Sequence, residues 1–315
     1  MAVRVTIAAE RSPLPFPSMS ARAPCFLEAS LAGLRIAHRA DLDPGLVVRA
    51  VRRHIANTRT AREACETYGP ASSVSRVAMC GPRGRVDLAV KWNHWRGLRG
   101  ALSDAVYGSR AIRAAAGAEQ LARIGIGHPE TLAIAERRCL GIVTQSFLLT
   151  RFIDASVPLS VMAPGLRHDA PRRRALIARI GDAVGTLHAA GLDHSDLKHS
   201  NLLVTPGDGI ALLDLDSVAV SRRITWRRRV RALGQLEAYA RDLYPWLARS
   251  DRLGFLRAYL RRVPPVADRK RELTADVTRW AERRLASWAA RPRYIGYPLV
   301  PRDSAPEAAA RAERG

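Results

Sequence analysis

Lysine is almost missing from this 315-residue chain. Lys91, Lys198 and Lys270 are the only three among 51 basic residues, and the other 48 are arginine. Acid is scarce too, with 29 Asp and Glu, which leaves a formal net charge of +22. The four cysteines, Cys25, Cys65, Cys80 and Cys139, are too scattered for a metal-ligand pair, and a chain long enough for a large core needs no disulfide staples. They read as free thiols in a reducing compartment. No stretch approaches the about 18 uninterrupted apolar residues of a spanning helix, and the apolar part of MAVRVTIAAERSPLPFPS is too short for a signal peptide. These absences point to a cytoplasmic protein, at most peripheral to a membrane.

What is present is a hydrophobic fraction of 47%, enough for a real core. The positive charge implies an anionic partner, such as nucleic acid, an acidic or phosphorylated glycan, or an anionic lipid surface. Codon bias, writing basic residues as Arg, is the competing explanation. No nucleic-acid recognition motif accompanies the charge, so no specific nucleic acid is expected.

Residues 1–30 are rich in Pro. A short strand pattern and a helix, PGLVVRAVRRHIANTRTARE, follow. SVSRVAMC and VDLAVKW, separated by a Gly/Pro turn, read as a hairpin. The spacing predicts one helix over 104–124, stopped by Gly125, Gly127 and Pro129, and then two strands within TLAIAERRCLGIVTQSFLLTRFI. After about Asp154 the chain turns helical, interrupted by a second predicted hairpin, NLLVT-PGDG-IALLDLD. The expected divisions are an extension with the start of a first lobe (1–64), a β-rich lobe with one main helix (65–154), a helical lobe (155–301) and a tail (302–315), making an α+β chain of two lobes. No internal repeat is visible.

The chemistry concentrates in GLDHSDLKHSNLLV, residues 191–204. Asp196 is followed five residues later by Asn201, and Asp214 lies beyond the predicted hairpin. One Asp can orient or deprotonate a hydroxyl. An Asn and a second Asp joined by a hairpin offer oxygen ligands suited to Mg2+. Phosphoryl transfer needs such parts, together with a Lys for the phosphates.

His194-Ser-Asp-Leu-Lys-His-Ser-Asn201 resembles the H-R-D-L-x-x-x-N loop of protein-kinase-like enzymes. VDLAVK, ending at Lys91, is similar to their V-A-I-K strand, and Asp214 falls where the Asp of D-F-G lies. Two of the three lysines thus stand at kinase positions, where arginine's planar fork is a poor substitute for a compact charge. Within that superfamily, GSRAIRAAAGAEQLARIGIGHPE and LLDLDSVAVSRRITWRRRVRALGQ resemble the lipopolysaccharide kinases of the Kdo/heptose type, over roughly residues 65–245.

The resemblance implies a two-lobed kinase fold, ATP with Mg2+, and a sugar hydroxyl of a lipopolysaccharide core or related glycolipid as acceptor, at the cytoplasmic side of the inner membrane. It implies Asp196 as acceptor base, Lys198 beside the moving phosphoryl group, Asn201 and Asp214 on the metal, and Lys91 on the phosphates. Gly69, Ser72 and Ser73 form the nearest substitute for a phosphate-covering loop. Past Asp104 at its first position, Glu119 is the only acid inside the predicted helix available to pair with Lys91, and it reads equally as a solvated charge. Asp216 either supports the metal shell or binds an Arg. His188 and His194 read as structural, and His199 as a possible substrate contact by position alone.

The segment from Arg222 to Arg231 holds six arginines. Arg223, Arg227 and Arg231 at helical spacing either face an anionic acceptor or lipid headgroups, or form a solvated face. Trp226 reads as an interfacial anchor or as core. Two other functions stay open: a kinase-fold phosphotransferase acting on a small molecule or a protein Ser/Thr, and a pseudokinase scaffold. The absence of an activation segment ending in A-P-E after Asp214 opposes a protein kinase, since the only such triplet lies in the tail.

Overall fold

The computed structural model describes residues 26–60, 65–81, 84–95 and 97–290. The predicted tail at 302–315 and Cys25 lie outside these residues. The first part contains β1 (Phe26–Leu31), β2 (Leu34–Arg39), α1 (Pro44–Thr60), β3 (Thr67–Tyr68), β4 (Ser72–Gly81), β5 (Gly84–Asn93), α2 (Gly97–Tyr107), α3 (Arg110–Arg123), β6 (Thr131–Cys139) and β7 (Ile142–Arg151). Its seven strands form one antiparallel sheet in the order β1-β2-β6-β7-β5-β4-β3. Residues 26–60 therefore begin this lobe, through the pairing of β2 with β6.

Strand alternation decides what each face carries. On β5, Leu88 and Val90 are buried in an apolar cluster with Leu46, Val47, Ala50 and Val51 of α1 and with Phe147 and Leu149 of β7. Lys91, at the alternate position, points to the opposite face, toward α3 and the second lobe. A separate cluster joins Ala114, Ala118 and Leu121 of α3 to the second lobe. The helix expected over 104–124 is two helices. Gly108 adopts φ +77°, and the Ser109 side chain caps α3 by accepting from the Ile112 amide at 3.3 Å. The cap turns the chain, so the S-R-A triplet starts a new helix.

The second part holds β8 (Val157–Pro158), α4 (Leu159–Met162), α5 (Ala170–Ala189), β9 (Leu192–His194), β10 (Leu202–Thr205), β11 (Gly209–Leu212), β12 (Val218–Val220), α6 (Trp226–Leu243), α7 (Arg249–Arg262), α8 (Pro264–Ala267) and α9 (Lys270–Ala289). The predicted second hairpin is β10–β11. Gly191, φ +77°, turns α5 into β9, and a Cβ there would lie 2.2 Å from the Ser221 carbonyl oxygen. Gly117 lets α3 press on the turn at Leu215, where a Cβ would meet the Leu215 oxygen at 2.4 Å. The expected α+β architecture, a β-rich lobe followed by a helical one, is observed. No helix among the described residues is long and apolar enough to cross a membrane.

A polar network lies buried between α1 and the sheet. His54 Nδ1 bonds to Ser75 Oγ at 2.8 Å and His54 Nε2 to Ser73 Oγ at 3.1 Å, and Ser73 Oγ also bonds to His94 Nε2 at 3.2 Å. Burial, with the neighbouring His94, holds His54 down at about 4, from an ordinary 6.5. The unfolded chain therefore takes up a proton that the folded one rejects. The stability tied to neutral His54 is complete above about pH 6.5 and is lost progressively as pH falls toward about 4. Urea unfolding across that window should show a shallower pH dependence for His54→Asn than for the wild type. Identical slopes would contradict the assignment.

Candidate active site

The two lobes meet at four charged side chains. Lys91 Nζ, from β5, forms an ion pair with Asp214 Oδ1 and reaches Asp216 Oδ1 at 3.2 Å. Arg110, the first residue of α3, binds the other oxygen of Asp216 through Nε at 2.6 Å and approaches Asp214 at 4.0 Å. Its Nη1 also donates to the Ala71 carbonyl at 3.1 Å. Burial pushes the Asp214 carboxyl up, but Lys91, a hydrogen bond with Asp216 and Arg110 outweigh it and hold the group at about 2. Asp214 has φ +59°, a left-handed conformation that costs a non-glycine residue about 1–3 kcal/mol and persists only where its surroundings enforce it. Here the Lys91 pair and the tight packing of α3 on the following turn do so.

The His194–Asn201 loop folds beside this cluster. Asn201 donates from Nδ2 to the Asp196 carbonyl at 2.8 Å and to Asp196 Oδ2 at 3.2 Å. Lys198 Nζ also donates to Oδ2, at 2.7 Å, and Gln235 Nε2 of α6 donates to Oδ1 at 3.0 Å. A carboxylate has roughly four acceptor positions. Three are used, leaving one on Oδ1 for a further donor. Burial pulls the Lys198 ammonium down, but its hydrogen bond to Asp196 and the nearby negative charge raise it above its ordinary value.

The β10–β11 hairpin ties the two halves together. The Leu213 amide donates to the Asn201 carbonyl at 2.9 Å, and buried His194 donates from Nε2 to the Leu213 carbonyl at 2.9 Å. Asn201 and Asp214 are thus delivered side by side. With Nδ2 committed to Asp196, the amide oxygen is the Asn201 atom left to serve as a metal ligand. One carboxylate and one amide oxygen are hard donors that fit Mg2+, which takes few protein ligands. Asp216 is held by Arg110 and Lys91.

Several expected contacts are not formed. Glu119 is paired with Arg123 one turn along α3, at 2.5 Å, and does not reach Lys91. Lys91 is held by the two aspartates, and α3 is tied in by a base, Arg110. Ser73 is fully buried against His54 and His94, because strand alternation points it away from the cleft. Gly69 and Ser72 close the β3–β4 turn through an amide-to-carbonyl bond of 3.0 Å. Ala71 of that turn lies over Arg110.

Arg223 precedes α6, whose cap is Thr225, and so does not share a helix face with Arg227 and Arg231. Arg231 is bound to buried Asp193 at 2.8 Å. Arg227 is exposed. Trp226 donates to Asp276 at 2.7 Å under the Arg269 guanidinium, a packing role. His188 bonds to Tyr259 inside the second lobe, at 3.0 Å. His199 is buried against the rings of Tyr239 and Tyr244. Arg110 and Gln235 were missed in the sequence. Arg110 sits in the S-R-A triplet that opens α3, which is a usable signal. Gln235 carries no local motif.

The family model described as "Lipopolysaccharide kinase (Kdo/WaaP) family" matches residues 98–259. A solved structure described as WaaP in complex with acyl carrier protein is similar, with TM-score 0.52 and 23% identity, covering 74% of this chain and 95% of that one. A MAP kinase from Leishmania major, LmaMPK10, aligns at TM-score 0.34 and 17% identity over 66% of each chain. Among curated protein sequences, none matches. The WaaP likeness establishes a two-lobed, kinase-like fold.

Asp216 and Arg110 are both largely buried, so removing Arg110 leaves Asp216 with Lys91 alone, a cation it shares with Asp214. Arg110→Met should lower unfolding free energy by about 3 kcal/mol, read from urea denaturation. A change within experimental error would show that the pair does not join the lobes.

Proposed function

The chain belongs to the lipopolysaccharide kinase (Kdo/WaaP) family, and from that premise we propose that this kinase transfers the γ-phosphoryl group of ATP to a sugar hydroxyl of a lipopolysaccharide core or a related anionic glycolipid. One observation carries the reading: Asp196, oriented by Lys198, Asn201 and Gln235 and left with one open acceptor position, lies one hairpin away from the Lys91–Asp214 pair. On this reading the acceptor base and the phosphate-binding cation are linked through that one hairpin.

In the proposed reaction Asp196 accepts the proton of the acceptor hydroxyl through Oδ1. The hydroxyl oxygen bonds to the γ-phosphorus, the bond from that phosphorus to the β–γ bridging oxygen breaks, and ADP leaves with the electron pair. Lys198 sits 2.7 Å from Asp196 and offsets negative charge on the moving group. Lys91 is assigned to the α- and β-phosphates. Asn201 and Asp214 are assigned to Mg2+, which when bound neutralises phosphate charge. Arg110 and Asp216 act as positioning residues for Lys91. Of the arginines first considered for the acceptor, exposed Arg223 and Arg227 remain in the proposal. Arg231 does not, because Asp193 holds it.

Only the turn at 215–217, β12 and five residues separate Asp214 from α6. A protein-kinase activation segment has no room there, which favours a non-protein acceptor. Asp196→Asn should keep ATP binding and lower kcat on a core-oligosaccharide acceptor by about 10²–10⁴. Phosphotransfer measured with labelled ATP, alongside calorimetric nucleotide binding, checks both parts. Full turnover in the variant would remove Asp196 as the base, and no transfer to any glycan by the wild type would remove the acceptor class.

A further inference from the structure

Helix α2 is built inside out. A surface helix ordinarily buries its apolar stripe and exposes its polar one. In α2 no residue is buried. Its inward side is small or polar: Gly100, Ala101 and Asp104 line a narrow crevice with Asn93, Arg110 and Ser146. Its large apolar residues face out, with Leu98 81%, Leu102 69% and Val106 61% exposed. Spaced i, i+4 and i+8, these three share one face. Trp95 and Tyr107 flank the helix at its two ends and are likewise exposed. α2 packs on β7, and the near end of that strand adds Leu140, 97% exposed at the hairpin tip, and Ile142. Exposed apolar surface on this scale is not neutral for a soluble chain.

The charges around the patch select its occupant. The acids on α2 and on the neighbouring β6 are already held, Asp104 by Arg113 at 3.2 Å and Glu136 by Arg138 at 2.7 Å. Arg99 on α2 is exposed and makes no ion pair among the described residues, and the sequence places Arg96 just before the helix. An apolar stripe ended by aromatic rings, with net positive charge beside it, fits the headgroup region of an anionic bilayer.

We propose that α2 is an in-plane membrane anchor, inserting Leu98, Leu102 and Val106 into an anionic phospholipid surface. The chain runs from α2 through Gly108 and Ser109 directly to Arg110, which binds Asp216 at 2.6 Å. Docking through α2 therefore holds the interlobe cleft against the surface in which a lipid-linked acceptor is embedded. The inference rests on the glycolipid reading for its purpose, but its test does not require phosphotransfer.

The full chain is floated, without nucleotide, with vesicles of phosphatidylethanolamine and phosphatidylglycerol and with vesicles of phosphatidylcholine alone. The wild type should bind the anionic vesicles preferentially and release with rising salt. The double variant Leu98→Glu, Leu102→Glu should lose binding by roughly tenfold or more, and Arg96→Glu, Arg99→Glu should lose the preference for anionic lipid. Both leucines are exposed, so melting temperature and transfer to a lipid-free acceptor should be unchanged in the first variant. Absence of wild-type binding to anionic vesicles overturns the proposal, and so does equal binding by wild type and leucine variant. If either result came with active phosphotransfer, the anchor would fall while the kinase reading stood.

Discussion

Everything in the cleft depends on one compact ion cluster, in which Lys91 and Arg110 from the first lobe grip Asp214 and Asp216 from the second. Four charges withdrawn from water are tolerable only if each is matched, and here each carboxylate meets a cation from a different element. β5 supplies Lys91, the cap at Ser109 aims Arg110, and the β10–β11 hairpin delivers the aspartates. The left-handed Asp214 and the close approach permitted by Gly117 are consequences of holding that turn under α3. The same hairpin delivers Asn201 to Asp196, so the Asp196 loop and the Lys91 cluster are positioned by one piece of backbone.

The cluster also explains a departure from the expected design. A helix-borne acid was expected to hold the strand lysine. The helix supplies a base instead, and the acids come from the turn that follows β11. Charge balance is preserved with the signs on α3 reversed.

Much of this was legible in the sequence because short-range patterns carried it. Alternating residues and turn chemistry gave the two hairpins, and the spacing of His194, Asp196, Asn201 and Asp214 located the loop and its strand. Lys91 was conspicuous through the scarcity of lysine. The failures came where tertiary placement decides. Ser73 lies in a plausible turn, but strand parity sends it to the His54 side. Arg231 has the right helical spacing, but a buried Asp193 lies in reach. Gln235 reaches Asp196 across 39 residues of sequence with no local pattern to mark it. The arginine surplus likewise looked like a single surface property. Part of it is internal: Arg173 on Asp251 at 3.1 Å and Arg229 on Tyr259 are buried joints between helices, while Arg262 on Asp182 joins two helices at the surface.

The central claim is that Asp214 and Lys91 together make the site for the phosphates and their metal. Calorimetric titration of ATP with and without Mg2+, in the wild type and in Asp214→Asn, tests it most directly. The account predicts that Mg2+ strengthens ATP binding in the wild type and that the variant loses this enhancement. An equal Mg2+ enhancement in both proteins would contradict it.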